Sequence, residues 1–118
     1  MKAIELYAGA GGLALGASMA GFEPLAVVEL DRWACDTIRE NQRRGHPVVA
    51  AWPEPFEGDV RNHDWLEGIP EDIALVAGGP PCQPFSLGGK HRAFNDERDM
   101  FPATVDVIRK VRPKAFII

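Results

Sequence analysis

The sequence predicts a doubly wound α/β domain on a parallel sheet, and three observations predict it. Strand-like runs alternate with helix-like runs along the chain. The strand-like runs are apolar at consecutive positions, as strands covered on both faces are. The first of them feeds a glycine cluster that opens a helix, and right-handed crossovers between such units wind the sheet in both directions.

Lys2 to Tyr7 is a short β-prone run ending at glycines. Gly11 to Gly21 reads as a helix, with Leu13, Leu15 and Met19 as its apolar positions and Gly21 closing it. Leu25 to Leu30 (LAVVEL) is a second strand. Asp31 can cap the helix that follows, Arg32 to Arg44, which puts Trp33, Ala34, Thr37 and Ile38 on one face. Gly45 to Pro55 reads as a loop or insertion, because Pro47, Pro53 and Pro55 interrupt any element. A third strand belongs near Phe56 to Val60, although that run is short and polar. Ile73 to Ala77 (IALVA) is a buried strand ended by Gly78 and Gly79. Ala103 to Val111 reads as a helix with Val105, Ile108 and Val111 inward, stopping before Pro113, and Ala115 to Ile118 begins a last strand.

With 118 residues, 46% hydrophobic and 25% charged, the chain suits one packed domain rather than a disordered segment. No run is apolar for long enough to span a bilayer, and MKAIELYAGAGG is not a signal peptide. No membrane partner is expected, and the expected location is the cytoplasm or the nucleoid. The two cysteines read as free thiols. His46, His63 and His91 lack metal-ligand spacing, so no metal is expected. The net charge of −4 runs against a dedicated nucleic-acid-binding domain, unless another part of the protein carries the basic surface.

Gly9, Gly11 and Gly12 stand between the first strand and the first helix, the context a nucleotide-type loop requires. A side chain there would hold a ligand away from the backbone. A tight turn without a ligand is the competing reading, and Glu29 weighs against it. It ends the second strand 20 residues after Gly9, where an acid can grip ribose hydroxyls. The loop has no Walker Lys-Ser/Thr, and its spacing is GxGGxxxG rather than GxGxxG. A ligand with a ribose and no phosphate fits better than a dinucleotide, and S-adenosylmethionine is the common one. Asp59, in GDV, is placed to accept from an adenine amino group, with a plain turn aspartate as the other reading.

Cys82 follows a buried strand and is framed by prolines in GGPPCQPFS, Gly78 to Ser86. Pro80, Pro81 and Pro84 restrict the backbone on both sides, which suits a nucleophile held at one angle. If the first and fourth strands are adjacent, this thiol and the glycine loop face one crevice, which is the case for a methyl-transfer enzyme. Cys35, inside the helix WACDTI, reads as packing.

In ELYAGAGGLALG, VVELD, GDV, GGPPCQPFS and DERDMF, taken in order, the chain resembles the cytosine-C5 DNA methyltransferase family. The resemblance implies a Rossmann-like, S-adenosylmethionine-dependent fold, with Cys82 as the nucleophile that attacks C6 of a flipped cytosine. It implies cofactor contacts at Tyr7, Ala8, Gly9, Gly11, Gly12, Glu29, Leu30, Asp59, Val60, Pro80 and Phe101. It matches Ser86 to Arg98 to a loop that closes over the target base, so Gln83, Ser86, Lys90, Arg92 and Arg98 belong on the substrate side. Lys90 and Arg92 are candidates for phosphate contact. Double-stranded DNA is the implied partner, in restriction–modification or in regulation.

The family pattern continues with a Glu-Asn-Val element whose glutamate holds the cytosine ring, and the chain stops at Ile118, where that element would begin. The expectation is therefore a fold truncated after about the fifth strand. Residues 1–118 would be the N-terminal part of one catalytic domain, without its target-recognition domain, as a fragment or a split subunit. Such a chain would be inactive alone, and a second polypeptide carrying the missing motifs is a candidate partner. The competing readings are a tRNA cytosine methyltransferase on the same core and a non-catalytic S-adenosylmethionine-binding module. A thiol redox protein is disfavoured because Cys82 lacks a C-x-x-C partner.

Overall fold

Where three successive apolar strands must each be covered on two faces, the chain has to place helices above and below one sheet. The computed structural model, which describes residues 1–81 and 100–118, does so. Its strands are β1 (Lys2–Leu6), β2 (Glu23–Glu29), β3 (Phe56–Glu57), β4 (Leu75–Gly78) and β5 (Ala115–Ile117). All pairings are parallel, in the order β3-β2-β1-β4-β5. The helices are α1 (Gly12–Met19), α2 (Arg32–Arg43) and α3 (Phe101–Val111). This is the doubly wound, Rossmann-like α/β architecture that the sequence predicts.

β1 is central. Its Leu6 stands beside Val28 of β2 on one side and Gly78 of β4 on the other. The chain winds outward from β1 through β2 to β3, then returns to β4 and winds outward the other way. Connections leaving β1 and β4 therefore diverge, and a crevice opens at their carboxyl ends. One face of the sheet packs Ile4, Leu6, Val28 and Val76 against Trp65, Met100 and Val107. The other packs Val27 against Ala14, Ile38, Val49 and Trp52, with Ala3, Leu75 and Ala77 beside them.

Several expectations need correction. β3 is two residues long, because the chain turns at Gly58 and leaves the sheet. β4 starts at Leu75 rather than Ile73, and β2 reaches back to Glu23. α1 buries only Ala14 completely and leaves Leu13 and Met19 exposed. On α2 the buried positions are Cys35 and Ile38, whereas Trp33 is 74% exposed, with the Arg32 guanidinium 5.7 Å from its ring centroid. A cation over the ring gives an exposed indole a partner in place of the core. On α3 the fully buried residues are Thr104 and Val107, with Val105, Ile108 and Val111 half-buried at the flanks. Thr104 can be buried because its hydroxyl donates to the Met100 carbonyl at 2.8 Å. The supposed loop from Gly45 to Pro55 carries a 3₁₀ turn, Val49–Ala51, and buries Val49 and Trp52. No helix among the described residues is long and apolar enough to cross a membrane.

Candidate functional site

The glycine turn is fixed from the strands it leaves. Tyr7 takes a positive φ of 53°, uncommon for a residue with a side chain, and turns the chain away from β1. The Ala8 amide then donates to the Val28 carbonyl (3.0 Å), and the Gly11 amide closes a turn onto the Ala8 carbonyl (3.0 Å). Gly11, at φ 104°, is the N-cap of α1, in a conformation that excludes most other residues. The Glu29 carboxylate sits across the turn. Its Oε1 accepts from the Gly9 amide and its Oε2 from the Asp31 amide, each at 2.7 Å. One side chain thus joins the cofactor-type turn to the start of α2. A Cβ added at Gly9 or Gly12 would meet no atom within 4 Å, so the turn faces open space.

An open cleft of about 740 Å³ lies at the carboxyl edge of the sheet, a size suited to a nucleoside-sized ligand. Tyr7, Val28, Glu29 and Leu30 form one side of it, Gly58 to Arg61 another, and Gly79, Pro81 and Met100 a third, with Asp31 and Arg32 at its rim. Asp59 accepts from the Arg61 amide (2.8 Å) and from two nitrogens of its guanidinium (3.0 and 2.7 Å). That guanidinium holds the Asp59 carboxyl below its ordinary pKa, so the group is an anion at neutral pH. Tyr7 is anchored to α3. Its hydroxyl donates to the Met100 carbonyl (3.1 Å) and lies 2.8 Å from the Thr104 hydroxyl oxygen. Burial raises the Tyr7 pKa, against a smaller opposing effect of the Thr104 hydrogen bond, so the phenol stays protonated.

Of the residues expected around a cofactor, the structure brings Tyr7, Glu29, Leu30, Asp59 and Val60 together as cleft walls. Ala8, Gly9, Gly11 and Gly12 form the adjoining turn, of which Ala8 and Gly11 are buried. Pro80 is half-buried between two lining residues, and Phe101 stands half-exposed in the first turn of α3, after Met100. Cys82, Gln83, Ser86, Lys90, Arg92 and Arg98 lie outside the described residues. The wall residues that the sequence did not assign to a cofactor are Val28, Asp31, Arg32, Gly58, Arg61, Gly79, Pro81 and Met100, of which Asp31, Gly79 and Pro81 were read only as a cap, a strand end and a rigid frame. Arg61 carried a usable signal: an arginine two residues after a turn aspartate can fold back onto it. Cys35 is fully buried, its sulfur 3.5 Å from the Glu29 carbonyl, and burial pushes its thiol pKa up to about 11. It is packing, not a nucleophile.

The cleft is lined by both charged and apolar side chains. It offers three carboxylates, Glu29, Asp31 and Asp59, two guanidinium groups, Arg32 and Arg61, an exposed leucine and a tyrosine beside a glycine turn. Comparison with known proteins adds to this. The pattern of C-5 cytosine-specific DNA methylases matches residues 1–118. The chain is 41% identical over 115 residues to the Type II methyltransferase M.NgoMIV of Neisseria gonorrhoeae, covering 98% of this chain and 34% of that protein. It is 37% identical to the Type II methyltransferase M.PspPI of a Psychrobacter species, covering 97% of this chain and 26% of the relative. To the Type II methyltransferase M.AquIA of a Picosynechococcus species it is 39% identical, covering 99% and 47%. The chain thus spans between about a quarter and a half of the length of these relatives.

Proposed function

This chain belongs to the C-5 cytosine-specific DNA methylase family, and from that premise we propose that it forms the cofactor-binding and nucleophile-bearing part of a DNA (cytosine-5-)-methyltransferase. The observation that carries the reading is the cleft at the β1/β4 divergence, where the Glu29 carboxylate, tied to the Gly9 turn, meets Leu30 and Asp59. A bound S-adenosylmethionine would supply an electrophilic methyl group. Glu29 would accept from its ribose hydroxyls and Asp59 from its adenine amino group. Leu30, Tyr7 and Val60 would offer apolar surface to the base.

Pro81 lines the same cleft and precedes Cys82 in the chain, which supports Cys82 as the thiol that acts there. Its thiolate would bond to C6 of a cytosine flipped from the duplex, making C5 nucleophilic enough to take the methyl group. Loss of the C5 proton to a base would then expel the sulfur and restore the ring. Gln83, Ser86, Lys90, Arg92 and Arg98 would face the DNA. Because the relatives are two to four times as long by the coverage above, we read residues 1–118 as the N-terminal part of a catalytic domain. A downstream segment or a second polypeptide would supply base recognition, with the complete enzyme acting on DNA in the cytoplasm or nucleoid.

The test is covalent trapping. Protein carrying the remaining segments, mixed with S-adenosylmethionine and duplex DNA containing 5-fluorocytosine, should form a stable adduct that Cys82→Ser abolishes. An adduct that survives this substitution would remove Cys82 from the reaction. Labelled methyl transfer to tRNA but not to DNA would overturn the substrate. The 118-residue chain by itself should transfer no measurable label.

A further inference from the structure

We propose that Trp52 is a positioning residue that holds the cofactor turn in shape from behind. The inference rests on the reading of that turn as a nucleoside-ligand site. Between α2 and β3 the chain makes a detour from Gly45 to Pro55, and the interior of the fold receives Val49 and Trp52 from it, each 6% exposed. The indole packs with Ala8, Ala14, Val27 and Ile38, which places it beneath both ends of the glycine turn. Its ring presses on Gly11: a methyl group built there would stand 2.9 Å from Trp52 Cζ3 and 3.1 Å from Cη2.

Trp52 is itself held from two directions, by its ring and by its main chain. Trp52 Nε1 donates to Ser18 Oγ on α1 at 2.9 Å. The Gln42 side-chain amide, on α2, donates to the Trp52 and Pro53 carbonyls, each at 3.1 Å. α1 and α2 therefore grip Trp52, and Trp52 supports the turn that caps α1. On the opposite side the turn is held by Glu29 Oε1 at the Gly9 amide. A turn rich in glycine has little stiffness of its own, and whatever order it lacks must be supplied when a ligand binds, at a cost in affinity. Trp52 supplies that order in advance, without touching the ligand.

The protein, Trp52→Leu, Trp52→Phe and Ile73→Ala are to be compared by calorimetric titration with S-adenosylmethionine and S-adenosylhomocysteine, by thermal melting, and by hydrogen exchange at the Gly9 and Gly11 amides. Ile73 is 1% exposed in the opposite core, just before β4, and serves as the control for stability lost elsewhere. Trp52→Leu is expected to weaken both ligands about tenfold or more and to speed exchange at Gly11 comparably. Trp52→Phe, which keeps a ring under the turn, should recover most of the affinity. Ile73→Ala should lower the melting temperature and leave affinity unchanged. Wild-type affinity in Trp52→Leu, or affinity losses in Trp52→Leu and Ile73→Ala that simply track melting temperature, would overturn the proposal. If the unmodified protein binds neither ligand, the methyltransferase reading fails separately. Exchange at Gly9 and Gly11 then decides alone: acceleration confined to Trp52→Leu supports the buttress, and unchanged exchange refutes it.

Discussion

Glu5 lies between Val27 and Ala77 in the middle of the sheet, 1% exposed, and its Oε1 has no hydrogen-bond partner among the described residues. Burial pushes its pKa from 4.5 to about 7. The sign follows from proton counting. Between these values the folded chain keeps a proton that the unfolded chain has released, so stability is greatest below the lower value and falls as pH rises through the upper one. The full shift corresponds to roughly 3 kcal/mol. Glu5→Gln cannot titrate, so its stability relative to the unmodified chain should climb by up to that amount from about pH 4.5 to pH 8. Urea unfolding across that window would show it, and parallel curves for the two proteins would contradict it. Gly78 supplies a second case. A Cβ there would lie 2.5 Å from the Leu6 carbonyl oxygen, a backbone atom that cannot step aside. Gly78→Ala should cost about 1–3 kcal/mol by thermal unfolding.

α2 shows what pattern reading captures and what it misses. The cap was legible: Asp31 Oδ2 accepts from the Ala34 amide at 2.9 Å, and Asp31→Ala should cost about 1 kcal/mol of melting stability. The inward face was not, because an aromatic residue reads as core, whereas Trp33 finds Arg32 instead. α3 errs the other way, since Thr104 reads as polar until its hydroxyl is seen to be satisfied by Met100. β1, β2 and β4 were visible because both faces are apolar; β3 was placed correctly near Phe56, but its two-residue length was not legible in so short and polar a run. Its attachment depends on side chains. Arg39 of α2 reaches Asp36 at 3.1 Å, Glu54 at 3.0 Å and Glu57 of β3 at 2.8 Å. Arg39→Met should therefore lower the melting temperature more at about 0.05 M salt than at 1 M, where screening acts within about 3 Å. Prolines hid Trp52, because they mark a segment as irregular without saying which side chain turns inward.

The cleft draws on residues from the ends of four strands and on Met100, the N-cap of α3, so its membership depends on strand order as much as on motifs. The glycine turn, Glu29 and Asp59 were legible because their residue types and spacing announce chemistry. Met100 and Gly79 were not, since they enter the walls only because β4 lies beside β1. The same order leaves β5 at one margin, with Phe116 58% and Ile117 55% exposed. Exposed apolar strands of this kind associate. The 118-residue chain should therefore show concentration-dependent association by sedimentation that Ile117→Lys reduces, with little change in melting temperature.

Glu29 gives both carboxylate oxygens to main-chain amides on two different elements. Neutralising it would starve one of those amides as well as disturb recognition, so a ligand-blind but intact control protein is not to be had at that position. Leu30 is the better handle: the residue is 66% exposed at the cleft, and an aspartate there would repel a neighbouring anion or reshape the entrance while the scaffold beneath stays whole.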